Sequence, residues 1–220
     1  MATTSTARGD RARDEILSAA RWVLLERGVE GMSLREVARR ADYSPAALYN
    51  HFADKNALVA AVAMECVGTL ARYLGQVPAD GDARCRLREL GLAYVAFADE
   101  NPAEYAVIFD CLSNPPHEWT QYVAVAHPFA TVVEACAQGL TEGTLADDAN
   151  VEASGMAYGL WCLVDGHVHL RAKHLAAVDG PFPAMFAASL DALVAGLGCT
   201  TTRDDDQNRE DDSAHERVPR

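Results

Sequence analysis

Residues 33–52, SLREVARRADYSPAALYNHF, compress two short helical patterns and one turn into twenty positions. Leu34, Val37, Ala38 and Ala41 follow the i, i+3, i+4, i+7 spacing of an amphipathic helix. Ser33 is placed to cap that helix, with Glu36 three residues on to complete a capping box. Asp42-Tyr43 breaks it, because Asp tolerates the left-handed backbone better than most residues. Ser44 then caps a second helix with Pro45 at its first position, where a missing N–H costs nothing. Leu48 and Phe52 face one way and Tyr49 and His51 another. Two helices this short, this close and separated by one turn form a helix-turn-helix, whose second helix lies in the DNA major groove.

The flanking segments extend the pattern. Residues 11–27 form a first helix with Ile16, Ala19, Ala20, Val23 and Leu24 as its apolar stripe, stopped by Gly28 and Gly31. After Phe52, Asp54 is the expected N-cap of a further helix with Leu58, Val59 and Val62 inside. With Ile16-Leu17-Ser18-Ala19-Ala20, Gly28, Ser33, Val37-Ala38, Ser44, Leu48-Tyr49-Asn50-His51-Phe52, Lys55 and Leu58 in this order and spacing, residues 10–62 resemble the DNA-binding domain of the TetR family of transcriptional repressors. Asp42 stands where that family usually has Gly, and Ala46 where Gly is common. The resemblance implies that Tyr49 and His51 meet phosphates. Lys55 also suits a phosphate, since a cation at a helix start opposes the macrodipole.

The net charge of −13 is unevenly spread. Residues 1–57 hold 9 Lys/Arg against 8 Asp/Glu, residues 58–198 hold 6 against 17, and residues 199–220 hold 4 against 7. The acid lies outside the helix-turn-helix, and a DNA face needs local rather than global positive charge. Ser33, Arg35, Tyr43, Ser44, Ala46, Ala47, Tyr49, Asn50, His51 and Lys55 are the candidate DNA-binding residues. Direct base reading falls to Tyr43, Ala46, Ala47 and Asn50, the alanines offering only apolar contact, for instance to a thymine methyl.

The fold class expected is all-α: a three-helix DNA-binding domain over residues 10–56 and a helical ligand-binding and dimerisation domain over 57–198. A flexible arm (1–9) precedes them and a disordered acidic tail (199–220) follows. Helices are expected at about 55–75, 83–99, 102–112, 117–141 (kinked or restarted by Pro128), 148–176 and 182–197. Neither a leader peptide nor an apolar run of about 18 residues is visible, so a cytoplasmic protein with no membrane partner is expected. The six cysteines are scattered, which suits buried, reduced thiols.

The second half carries a further resemblance. Asn101-Pro102-Ala103-Glu104-Tyr105, Ile108-Phe109 and Trp161-Cys162-Leu163-Val164-Asp165-Gly166 are similar to the C-terminal domain of a TetR subgroup with a Trp-x-x-x-His-Gly motif, Asp165 standing at the His position. Gly166 in mid-helix suggests close approach of another helix. Tyr94, Phe97, Tyr105, Phe109, Trp119, Tyr122, Trp161 and Asp165 are the candidate ligand-binding residues, suited to a hydrophobic or aromatic effector if they surround a cavity. Their alternative role is to fill the core. Asp165 and His169 share a helical face, yet no third ligand at zinc spacing accompanies them. No catalytic or phosphate-binding motif appears, and no cofactor is implied. The resemblance implies a homodimer formed through the helices near 148–176 and 182–197, bound to a palindromic double-stranded operator. Two rivals stand beside an effector-responsive regulator. One is a regulator without an effector, the other an enzyme or carrier that keeps a relic helix-turn-helix.

Overall fold

A computed structural model describes residues 3–113, 128–146 and 151–198, and every regular element among them is helical. The helices are α1 (Thr3–Gly31), α2 (Leu34–Ala41), α3 (Pro45–Leu48), α4 (Lys55–Leu74), α5 (Ala83–Glu100), α6 (Pro102–Ser113), α7 (Pro128–Glu142), α8 (Ala153–His169) and α9 (Phe182–Gly196). α8 runs on into a π-helical turn, Leu170–His174. Pro128 starts α7, as a residue without an N–H does best.

α1 begins at Thr3, within the stretch expected to be a flexible arm. No proline interrupts it, and the one early glycine, Gly9, costs only about 1 kcal/mol in a helix. At its other end Gly28 adopts φ 69°, ψ 178°, which breaks the helix where the sequence placed its stop. Asp42 takes the left-handed conformation (φ 61°) between α2 and α3. Ser44 accepts a hydrogen bond from the Ala47 amide at 3.2 Å, and Asp54 one from the Ala57 amide at 2.8 Å. The expected capping box at Ser33 does not form. The Ser33 side chain makes no cap bond, and Glu36 turns instead to Arg39 at 3.0 Å. A charged partner one turn away outcompetes a neutral amide for the carboxylate. Asn101-Pro102 has the pattern of an N-cap followed by Pro at the first helical position, yet the Asn101 side chain serves the preceding helix. Its side-chain amide donates back to the Phe97 carbonyl and to the Tyr73 hydroxyl, closing the end of α5.

α4 organises the rest. It is long and apolar enough, by composition alone, to cross a membrane. Here its apolar side chains are packed: Leu58, Val62, Ala63 and Cys66 are fully buried. α1 and α6 cover it at one end, α5 and α7 at the other. One continuous cluster therefore runs from Ile16 in α1 through α4 to Val194 in α9, so the helix-turn-helix shares its core with the second half. Gly91 and Gly139 mark close approaches. A Cβ on Gly139 would sit 2.6 Å from Leu145 Cγ and 2.8 Å from Ala83 Cβ. Gly166 is different from what its mid-helix position suggested: a Cβ there would meet nothing within 4 Å among the described residues.

This packing can be tested at two points. Gly139→Ala should lower stability by roughly 1–3 kcal/mol, as overpacking does, read as a lower midpoint in urea unfolding. Burial pushes the thiols of Cys66 to about 12 and of Cys111 and Cys136 to about 11, whereas Cys85 and Cys162 are exposed. Iodoacetamide on the native protein should therefore label Cys85, which lies on α5 rather than on the segments expected to pair in a dimer, well before Cys66, Cys111 and Cys136, as mapped by peptide mass spectrometry.

Candidate DNA interface and the polar cluster of the second half

The outer surface of the helix-turn-helix is set by which side chains α3 must bury. Leu48 (2% exposed) and Phe52 (7%) point into the head. This turns Ala46, Tyr49 and Asn50 outward, with Tyr49 57% exposed. Ala47, His51 and Lys55 are half-buried beside them, and Ser33, Arg35 and Ser44 are exposed. α3 itself is a single turn, prolonged by amide bonds from Asn50, His51 and Phe52 to the carbonyls of Ala47 and Leu48. Tyr43 is held from inside, its hydroxyl donating to Glu15 of α1 at 2.7 Å. That bond, with Arg11, keeps the Glu15 carboxyl below its ordinary range.

The arginines of the head divide into two groups. Arg39 pairs with Glu36, the Arg40 guanidinium lies 3.3 Å from the centre of the Trp22 ring, and Arg13 lies over Phe52 at 5.0 Å. Arg35, in the first turn of α2, and Lys55, at the start of α4, have no acidic partner among the described residues. Positive charge left uncompensated beside an exposed helix is the feature a phosphate backbone requires.

Between head and body lies a pair that sequence reasoning missed. Arg21 of α1 donates to Glu104 of α6 and stands 3.8 Å from Glu65 of α4. Glu104 is 8% exposed, and its second oxygen, Oε2, has no hydrogen-bond partner among the described residues. A carboxylate in the first turn of the largely apolar α6 was its trace in the sequence. The helices that face it could not be known without the fold.

In the second half, α5, α6 and α8 bring three predicted residues onto one point. Asp165 Oδ1 accepts from the Tyr94 hydroxyl at 2.7 Å and from the Tyr105 hydroxyl at 3.2 Å. Burial and the adjacent carboxylate raise both tyrosine pKa values, so both remain neutral donors. Trp161 meets the Tyr94 ring edge-on at 5.1 Å, and Phe129 meets Trp161 at 5.6 Å. Phe109 stacks on Tyr105 at 6.3 Å and on His169 at 4.5 Å. The i, i+4 partners Asp165 and His169 do not bond to each other; His169 Nδ1 is buried without a hydrogen-bond partner among the described residues. Phe97 is a correction. It is fully buried edge-on to Tyr73 and fills the α4–α5 interface, away from either cavity. Its position on α5, three residues after Tyr94, could not distinguish core from lining. Trp119 and Tyr122 lie outside the described residues.

The partners of Asp165 line two separate spaces, neither of which Asp165 itself lines. Tyr94 and Trp161, with Leu90 and Val164, line a cavity of about 20 Å³, room for one water molecule. Tyr105 and Phe109 line a cleft of about 340 Å³ between α6 and the π-helical turn, rimmed by Asp99, Asp110, Arg171 and Lys173. Departures from α-helical winding recur at functional sites.

A head with an outward recognition helix, joined through one core to an all-helical body, defines a DNA-binding transcriptional regulator. Residues 16–62 match the family model of bacterial regulatory proteins, tetR family, and residues 87–197 match that of the tetracyclin repressor-like C-terminal domain. The chain belongs to the TetR family of transcriptional regulators, a family of regulators rather than enzymes. It is 29% identical over 145 residues to the transcriptional activator FasR of Mycolicibacterium smegmatis, covering 66% of this chain and 63% of FasR. It is 35% identical over 75 residues to the transcriptional repressor AcnR of Corynebacterium efficiens, covering 33% of this chain and 40% of AcnR. Each match thus spans less than two thirds of the relative's length. Among solved structures, a Rhodococcus sp. RHA1 protein of unknown function superposes with a TM-score of 0.69 at 27% identity, over 86% of this chain and 96% of that one. PfmR of Thermus thermophilus shares the fold, with a TM-score of 0.61 at 19% identity over 83% of this chain and 98% of its own.

The ion pair between head and body yields a test of its own. Arg21→Ala should cost about 1–3 kcal/mol in urea unfolding, since it leaves a buried carboxylate unpaired. Adding Glu104→Gln should recover part of that loss.

Proposed function

We propose that this regulator acts as a homodimeric repressor, released from a palindromic operator by a small hydrophobic or aromatic effector. The observation that carries the DNA-reading part is the outward face of α3, with Ala46, Tyr49 and Asn50 exposed; the cations Arg35 of α2 and Lys55 of α4, without acidic partners among the described residues, supply charge for the backbone. On this reading Asn50 and the alanines meet base edges, while Ser33, Ser44, Tyr49, His51, Arg35 and Lys55 meet the backbone. Tyr43, tied to Glu15, positions the recognition helix rather than reading bases.

Self-association is supported by exposed apolar side chains on the two segments assigned to it. Tyr158 (66% exposed) and Leu170 lie along α8 and its π turn, and Met185 (58%) lies on α9, with Val178 between. Isolated, these would be unremarkable; clustered on neighbouring elements they suit an apolar partner surface. A two-fold axis there presents two copies of α3 to successive major grooves.

Effector response is supported by the route from cleft to head. Tyr105 lines the cleft, and Glu104, its chain neighbour in α6, holds Arg21 of α1. A ligand that shifts α6 changes the seat of the head, and with it the spacing of the two recognition helices. A second reading, a regulator without an effector, draws on the near-filled cavity at Tyr94 and Trp161.

Selection of genomic fragments by the purified protein at two salt concentrations tests the main reading. A palindromic site enriched at both is expected. Weak, sequence-blind binding lost at the higher salt would overturn it. On the selected site, Tyr49→Ala with Lys55→Ala should abolish binding, and Lys55→Ala alone should lower the slope of log K against log salt by about one for each lysine removed.

A further inference from the structure

We infer that the cleft between α6 and the π-helical turn seats a small zwitterion with an aromatic side chain, of the amino-acid or dipeptide class. Its ammonium lies toward Asp99 and Asp110 and its carboxylate toward Arg171 and Lys173. This deepens the effector reading and rests on it. The space measures about 340 Å³, at the small end of the ligand sites that proteins build, about 300–1,000 Å³. All four charged side chains line that one space, together with Tyr105 and Phe109. The acids come from α5 and α6 and the bases from the π-helical turn, so the two signs enter the cleft from different elements. Among the described residues no ion pair joins them across it. Burial and then Arg171 hold the His167 pKa below its ordinary value while Asp99 works against them, so both signs act within reach of one imidazole.

Two different windings build the cleft. On α6, Pro102, Tyr105, Ala106, Phe109 and Asp110 line it at the i, i+3, i+4, i+7, i+8 spacing of an ordinary helical face. On the π-helical turn, Arg171, Ala172 and Lys173 line it consecutively. Successive residues of an α-helix point apart, so α-helical winding here would offer the cleft one base at most. The wider turn presents both, and such departures recur at functional sites. Between the two signs, Tyr105 is buried and Phe109 half-buried, their rings stacked at 6.3 Å. That floor suits an aromatic side chain. A ligand with a single charge meets a like charge in the cleft as well as an opposite one. A zwitterion meets each sign with its complement, which is where the selectivity comes from.

Calorimetric titration of the full chain with L-phenylalanine, glycyl-L-phenylalanine, phenethylamine and 3-phenylpropanoate tests this. At least one zwitterion should bind about fivefold or more tightly than both singly charged probes, the gain that one further exposed charge contact allows. Asp99→Asn with Asp110→Asn should erase the advantage over 3-phenylpropanoate and keep that over phenethylamine. Arg171→Gln with Lys173→Gln should do the reverse. Melting curves confirm that each variant is folded, and Lys173→Gln alone, at an exposed position, stands in for the basic pair if Arg171 proves necessary for folding. Zwitterions that bind no better than either singly charged probe, or do not bind, overturn the inference. So do variants that weaken all four probes alike, since that is a structural effect. An operator fragment in a parallel mobility assay separates the two readings. A protein that holds the operator but ignores both zwitterions in calorimetry overturns the zwitterion site alone. One that binds them with the crossed pattern of the variants, without releasing the operator, supports the site and overturns the effector response.

Discussion

The structure depends on the burial of α4. A twenty-residue helix with this much apolar surface has to be covered nearly all round, and no single neighbour can do it. Four helices share the task, and α1 is among them. This ties the DNA-binding head to the body through a continuous apolar core rather than a linker, so a displacement of α6 or α4 cannot leave α1 where it was. The head is rigidly seated because its own three helices are too small to bury enough surface alone.

Within that core, polar groups are few and each has a cost. Arg21 and Glu104 offset one another where α1 crosses α6, yet Glu104 Oε2 is left without a hydrogen-bond partner among the described residues. Such a pair adds little net stability, since desolvation consumes most of the attraction. What it contributes is registry: only one seating of α1 on α6 keeps the carboxylate paired. Asp165 is the second such group, satisfied by hydrogen bonds but not by charge.

Much of this was readable beforehand. The spacing of Leu34, Val37 and Ala38, the Asp42 break and the Ser44-Pro45 start each reflect local backbone chemistry, and each appears as expected. The described helix boundaries in the second half follow prolines and glycines to within about five residues for the same reason, the stretch expected as helix from 117 to Pro128 lying outside the described residues. The failures have a common cause. Ser33 and Glu36 had the spacing of a capping box, but Arg39 and Arg27 compete for Glu36. Phe97 had the composition of a pocket residue but faces Tyr73. Gly166 had the look of a close contact but meets open space. In each case a rival partner lay on another turn or another helix, or the expected one was absent.

By itself, the sequence determined that this chain is a helical regulator with its recognition helix at residues 44–52, because caps, breaks and apolar periodicity act over a few residues. It also determined which side chains could carry charge to DNA. Only the tertiary structure decided which of those charges remain available, since Arg39, Arg40 and Arg13 are claimed by Glu36, Trp22 and Phe52 while Arg35 and Lys55 are not. Likewise only packing placed Asp165 between tyrosines from two other helices. Pairing of groups 60 or 71 residues apart is a property of the assembled core, and no local pattern encodes it.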